Sequence, residues 1–116
     1  MYKFQETKKR YMRDPLPIRL GGLAANLARV KSFSKNPANE TAVFDLFEES
    51  KHFIEWTAPE TEINTTVELI ELQLQISIWQ MDWQKNWNNP DARQLLAHTS
   101  GEWSRRVLER SGLLSR

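Results

Sequence analysis

Ile63-Asn64-Thr65-Thr66-Val67-Glu68-Leu69-Ile70-Glu71-Leu72-Gln73-Leu74-Gln75-Ile76-Ser77-Ile78-Trp79-Gln80-Met81, continued by Asp82-Trp83-Gln84-Lys85-Asn86-Trp87, is the stretch whose reading decides the fold. Its spacing predicts one helix from about Thr61 to Asn86. Ile63, Val67, Ile70, Leu74, Ser77, Ile78 and Met81 form a first stripe at three- and four-residue intervals. Leu69, Leu72, Ile76, Trp79, Trp83 and Trp87 form a second, read as about a third of a turn away. A surface helix of a monomer needs only one apolar stripe, so this helix has more to cover than its own core requires. The first stripe is assigned to the core of the monomer. The ladder of Trp79, Trp83 and Trp87, with Leu72 and Ile76, is the candidate interface, because Trp is enriched where proteins meet. Three readings of the ladder stand: core within the monomer, a homo-oligomer interface, or a stacking surface for nucleic-acid bases. Stacking needs cations near the rings, and Lys85 is the basic residue in the segment.

The neighbouring segments repeat the helical pattern. Leu20, Leu23, Leu27, Val30 and Phe33 share a face of a helix expected over 18–34, ended by Asn36-Pro37. Val43, Leu46, Phe47, Ser50, Phe53 and Ile54 do the same for a helix over 37–56, with Asn36 as cap and Pro37 in its first position. Asn89-Pro90-Asp91 opens a fourth helix along Leu95, Leu96, Thr99, Trp103 and Val107, and Gly112 closes it. No segment shows period-two alternation bounded by turn residues, so strands are not expected. The fold class is therefore all-α: an antiparallel bundle of about four helices over 18–116, preceded by a basic, extended arm over 1–17. Pro15 and Pro17 at the end of that arm stop any preceding helix and favour an extended path.

Composition narrows the function classes. At 116 residues, with 40% hydrophobic and 27% charged residues, the chain has the make-up of one folded domain. The absence of Cys removes disulfides, zinc–thiolate sites and Cys nucleophiles, and favours a reducing, cytoplasmic address. The N-terminal segment has basic residues without an apolar run behind them, and no stretch reaches the ~18 apolar residues that span a bilayer. Net charge is +1 but segregated. Residues 1–35 carry nine Lys/Arg against two acids, residues 36–91 eleven acids against two Lys, and residues 92–116 five Arg against two Glu. Basic ends can lie against the acidic middle of the same chain. Alternatively Lys8, Lys9, Arg10, Arg13 and Arg19 can meet an acidic partner such as nucleic acid.

No residue constellation nominates a reaction, so no catalytic, cofactor-binding or metal-binding residue is assigned and no cofactor is expected. Glu49 and His52 have the Glu-x-x-His spacing of a di-metal carboxylate site, but His98 lacks the matching Glu three residues earlier. Ser50, Ser100 and Ser104 lack a nucleophile elbow or a Gly-rich oxyanion loop, and Gly21-Gly22 matches no phosphate loop. A metal-dependent enzyme at Glu49 and His52 remains the least favoured function.

Residues 14–34, Asp14-Pro15-Leu16-Pro17-Ile18-Arg19-Leu20-Gly21-Gly22-Leu23-Ala24-Ala25-Asn26-Leu27-Ala28-Arg29-Val30-Lys31-Ser32-Phe33-Ser34, resemble the opening of small helical proteins of filamentous cyanobacteria. Trp103-Ser104-Arg105-Arg106-Val107-Leu108 fits the same pattern. Some members are described as negative regulators of heterocyst differentiation. The resemblance implies a regulatory, non-enzymatic protein and carries over no site residues. The expectation is a cytoplasmic helical homo-oligomer, most simply a dimer, working through protein–protein contact; nucleic-acid binding by the basic N-terminal segment is the alternative.

Overall fold

The computed structural model describes residues 4–114 and is helical throughout its regular structure: α1 (Phe4–Met12), α2 (Leu16–Phe33), α3 (Glu40–Thr57), α4 (Ile63–Met81), α5 (Trp83–Asn88) and α6 (Pro90–Ser111). Single 3-10 turns, Pro37–Asn39 and Ala58–Glu60, join α2 to α3 and α3 to α4. The four long helices expected from periodicity are present. Two short ones, α1 and α5, are not anticipated by it.

Local chemistry explains the boundaries. Asn89 accepts hydrogen bonds from the N–H groups of Asp91 (2.9 Å) and Ala92 (3.2 Å), and Pro90 fills the first position of α6, where its missing N–H costs nothing. Gly112 ends α6 at φ 78°, the left-handed conformation that an L side chain resists. At α4 the cap is Glu62, which accepts from Thr65 N (2.9 Å) and Asn64 N (3.3 Å). Asn36 caps the 3-10 turn rather than α3 itself, through Ala38 N at 3.0 Å.

α2 and α6 run antiparallel at close range. A Cβ on Gly21 would lie 2.9 Å from Leu113, one on Gly101 would lie 2.6 Å from the Lys31 stem, and Ser104 Oγ donates to Ala24 O at 2.7 Å. Leu20, Leu23, Leu27 and Val30 of α2 are buried there with Leu96, Trp103 and Val107 of α6. The buried face of α6 thus runs through Leu96, Ser100, Trp103, Val107 and Ser111, and leaves Leu95 exposed. Val43, Phe47, Phe53 and Ile54 of α3, with Leu69, Leu72 and Ile76 of α4, complete the same core.

The expected extended arm is a helix over most of its length; residues 1–3, including Lys3, lie outside the described residues, as do 115 and 116 at the other end. The reason is tertiary. Tyr11 stacks on Phe53 with ring centroids 3.8 Å apart and 8° between planes. Its hydroxyl donates to Arg19 O (2.7 Å) and accepts from Thr57 Oγ1 (3.3 Å). Burial pushes the Tyr11 phenol up to about 12. Pro15 still does what its position dictates, standing extended as the N-cap residue of α2.

Charges from the basic ends close onto the acidic middle. Arg19 forms a two-pronged pair with Glu60 (2.7 and 3.1 Å), and Arg106 and Arg110 both reach Glu68 (3.2 and 2.8 Å). The hydrogen bond from Arg110 holds the Glu68 carboxyl below its ordinary value near 4.5, and the one from Arg19 does the same for Glu60. Carboxyls depressed in the folded state stabilise it above their unfolded pKa, and that stability is lost as pH falls through the folded value. Urea unfolding midpoints should therefore drop as pH is lowered below about 4.5. Glu68→Gln should flatten that acid limb; an unchanged slope in the variant would show that the Glu68 contacts contribute nothing.

Candidate functional site

The two apolar stripes of the Trp-rich segment sit on opposite sides of α4, not a third of a turn apart. Successive helical residues are about 100° apart, so Ile70 and Leu72, or Leu74 and Ile76, point about 200° from each other. Leu69, Leu72 and Ile76 face inward and are buried. The chain then breaks at Asp82 (φ −121°, ψ 46°) and resumes as α5, so the expected single helix is two. The break keeps the aromatic ladder on the core side. Asn86 Nδ2 crosses it to donate to Trp79 O at 2.9 Å, satisfying a carbonyl that the helix end would leave open.

Trp83 and Trp87 are buried, and Trp79 packs half-buried against the core. Trp83 stacks on Trp87 (5.4 Å, 22°) and meets Phe44 and Phe47 edge-on at 5.3 and 6.1 Å. Both indole N–H groups are spoken for: Trp83 donates to Glu40 Oε2 (3.1 Å) and Trp87 to Pro37 O (3.0 Å). The candidate interface of Trp79, Trp83, Trp87, Leu72 and Ile76 is therefore seated inside the monomer.

The stripe assigned to the core is the one left in solvent. Ile63, Val67, Ile70, Leu74, Ile78 and Met81 are between 47% (Val67) and 85% (Met81) exposed. Ile63, Val67, Ile70, Leu74, Ser77 and Met81 follow a four-three-four-three-four spacing, the alternation that forms the seam of paired helices. No Lys, Arg, Asp or Glu belongs to that set. Polar ties anchor α4 on both sides of it. On one side Gln73 Nε2 donates to Lys51 O of α3 (3.3 Å); on the other Glu68 holds Arg106 and Arg110 of α6. The seam lies on the outer side of a fixed helix.

The remaining expected residues fall elsewhere. Lys8, Lys9, Arg10 and Arg13 are exposed on and just after α1, whereas Arg19 is 5% exposed and bound to Glu60 and to Asp14 O (3.0 Å). That burial takes Arg19 out of any contact with an acidic partner. Glu49 and His52 share α3 but diverge: Glu49 accepts from Asn26 of α2 (3.1 Å), while His52 lies 3.5 Å from Glu55 and stacks on Trp56. No group of three or more His, Asp or Glu among the described residues is placed to hold a metal ion. No described helix is long and apolar enough to cross a membrane.

No protein-family model matches the chain, no curated protein is similar to it, and no solved structure matches it.

The two faces of the segment should respond oppositely to substitution. Trp87→Ala should cost about 3–5 kcal/mol, because it empties a fully packed site and orphans Pro37 O. Leu74→Gln should change the unfolding free energy of the monomer by no more than about 0.5 kcal/mol. Urea unfolding of dilute protein checks both, and a reversed order would mean that α4 is rotated from the position described.

Proposed function

We propose that the chain is a non-enzymatic regulatory protein that acts through protein–protein contact as a helical homo-oligomer, and that α4 carries the contact. The observation behind this reading is the uncharged seam of Ile63, Val67, Ile70, Leu74, Ile78 and Met81 on a helix already anchored from both sides. Each of these six residues is about half or more exposed, and a row of exposed apolar side chains along one helix marks an interaction surface more often than scattered ones do. A second copy is the occupant that fits best. Its own seam has the same length and spacing, so the same apolar stripe can face itself across a two-fold axis.

The resemblance of residues 14–34 and 103–108 to the cyanobacterial helical proteins supports a regulatory role, with negative control of cell differentiation as its specific form. The Cys-free composition suits a cytoplasmic setting. A nucleic-acid-binding role for Lys8, Lys9, Arg10 and Arg13 is the second reading, favoured by their exposure along α1. It requires retardation of DNA or RNA that weakens steeply with salt.

Sedimentation velocity at tens of micromolar tests the leading reading. The wild-type chain should sediment as a dimer or larger, and the double variant Ile70→Glu, Leu74→Glu as a monomer with an unchanged circular dichroism spectrum. A monomeric wild-type chain overturns self-association; a variant that stays oligomeric moves the contact off α4.

A further inference from the structure

Where the last turns of α2 meet the first turns of α6, a groove of about 410 Å³ opens to solvent. Lys31 lines it from α2, Lys35 from the turn that follows, and Arg93, Gln94 and His98 from α6, over an apolar wall of Pro90 and Ala97. No carboxylate lines it. Among the described residues no carboxylate lies within 4.0 Å of Lys31, Lys35 or Arg93, although Arg19, Lys51, Arg105, Arg106 and Arg110 all have acidic partners. Three cations without a carboxylate partner thus share one groove that no carboxylate lines.

One of these cations, Arg93, is held in place. Arg93 Nη1 donates to Trp87 O at 2.7 Å, and the guanidinium lies 5.5 Å from the centre of the Trp87 ring. This fixes the plane of the guanidinium while leaving other N–H groups available. The Lys31 stem lies across α6 at Gly101, where a side chain would collide with it: a Cβ there would be 2.6 Å from Cδ and 3.4 Å from Nζ. A glycine in mid-helix lowers helix stability, and this one leaves the space that the Lys31 stem occupies. Helix dipoles account for only half of the cluster. Lys31 and Lys35 suit the C-terminal end of α2, but Arg93 stands in the second turn of α6, near the end where the dipole favours anions.

We propose that this groove binds the phosphoryl group of a small phosphorylated molecule. Lys and Arg donors lining one groove without a competing carboxylate match the charge and hydrogen-bonding capacity of phosphate. The volume suits a small ligand, being within the ~300–1,000 Å³ range of small-molecule sites, and the Pro90–Ala97 wall accommodates its apolar part. The site stands independently of the α4 seam.

The test is a titration of the isotope-labelled full chain with sodium pyrophosphate, followed by amide shifts in two-dimensional NMR at ~0.15 M salt. Inorganic phosphate, sodium sulfate and a short single-stranded DNA are run in parallel. Saturable shifts confined to residues around 31–35 and 90–101 are expected, with half-saturation at or below ~1 mM pyrophosphate. Lys31→Gln and Lys35→Gln should each weaken binding about tenfold, for the loss of one charge-assisted bond. Gly101→Ala should weaken it too, by displacing the Lys31 stem while favouring the helix. Arg105→Gln removes one paired cation from the same helix and should leave binding unchanged. Equal weakening by Arg105→Gln reduces the effect to net charge and overturns the proposal, as does the absence of saturation by ~10 mM. An equal response to sulfate overturns the phosphoryl assignment. Tighter binding of the DNA, with shifts extending to 8–13, overturns the small-ligand assignment in favour of a nucleic-acid surface.

Discussion

The indole N–H groups of Trp83 and Trp87 fix how α5, the continuation of the central helix past Asp82, is seated on the core. A buried indole N–H without a partner is costly, and both donors find theirs at the corner between α2 and α3, on Glu40 and Pro37. Once these bonds are made, the ladder must lie against Phe44 and Phe47, and Leu69, Leu72 and Ile76 follow it inward. The opposite stripe of α4 then has no route into the core. An aliphatic side chain buries equally well on either face, but an indole also needs an acceptor within reach. This asymmetry decides the orientation between two faces of similar hydrophobicity.

The same logic of partner-finding organises the ends of the chain. Tyr11 draws the N-terminal segment onto α3 through ring stacking, and Arg19 clamps the start of α2 to the turn before α4. At the far end Arg106 and Arg110 close onto Glu68. These contacts turn much of the charge segregation inward, as neutralisation within the chain. Among the cations they leave without a carboxylate partner are the exposed basic residues of α1 and the three that line the groove between α2 and α6.

Legibility followed the range of the interaction. Asn89, Pro90 and Gly112 mark the limits of α6 through bonds and angles that span only a few residues, and all three were readable from the sequence. The helix over 4–12 was not, because Pro15 and Pro17 speak of an extended path whereas Tyr11 and Phe53 are 42 positions apart. For α4 the signal was in plain view but ambiguous. Leu72, Leu74, Ile76 and Ile78 alternate with polar residues, and on a helix that alternation sends successive members to opposite faces, about 200° apart. Two apolar faces were readable; which of them was core required Glu40 and Pro37. The α2–α6 groove assembles residues more than 50 positions apart, beyond any local pattern, with Gly101 as its one legible trace.

The break at Asp82 also acts as a ruler. It ends the exposed apolar stripe after 19 residues, a length of about 28 Å, and Trp83 and Trp87 of α5 are buried. In the pairing proposed for α4, a facing helix would find apolar cover over about five turns and none beyond. A second copy has the matching span, so the length of α4 bears on that proposal as well as its chemistry does.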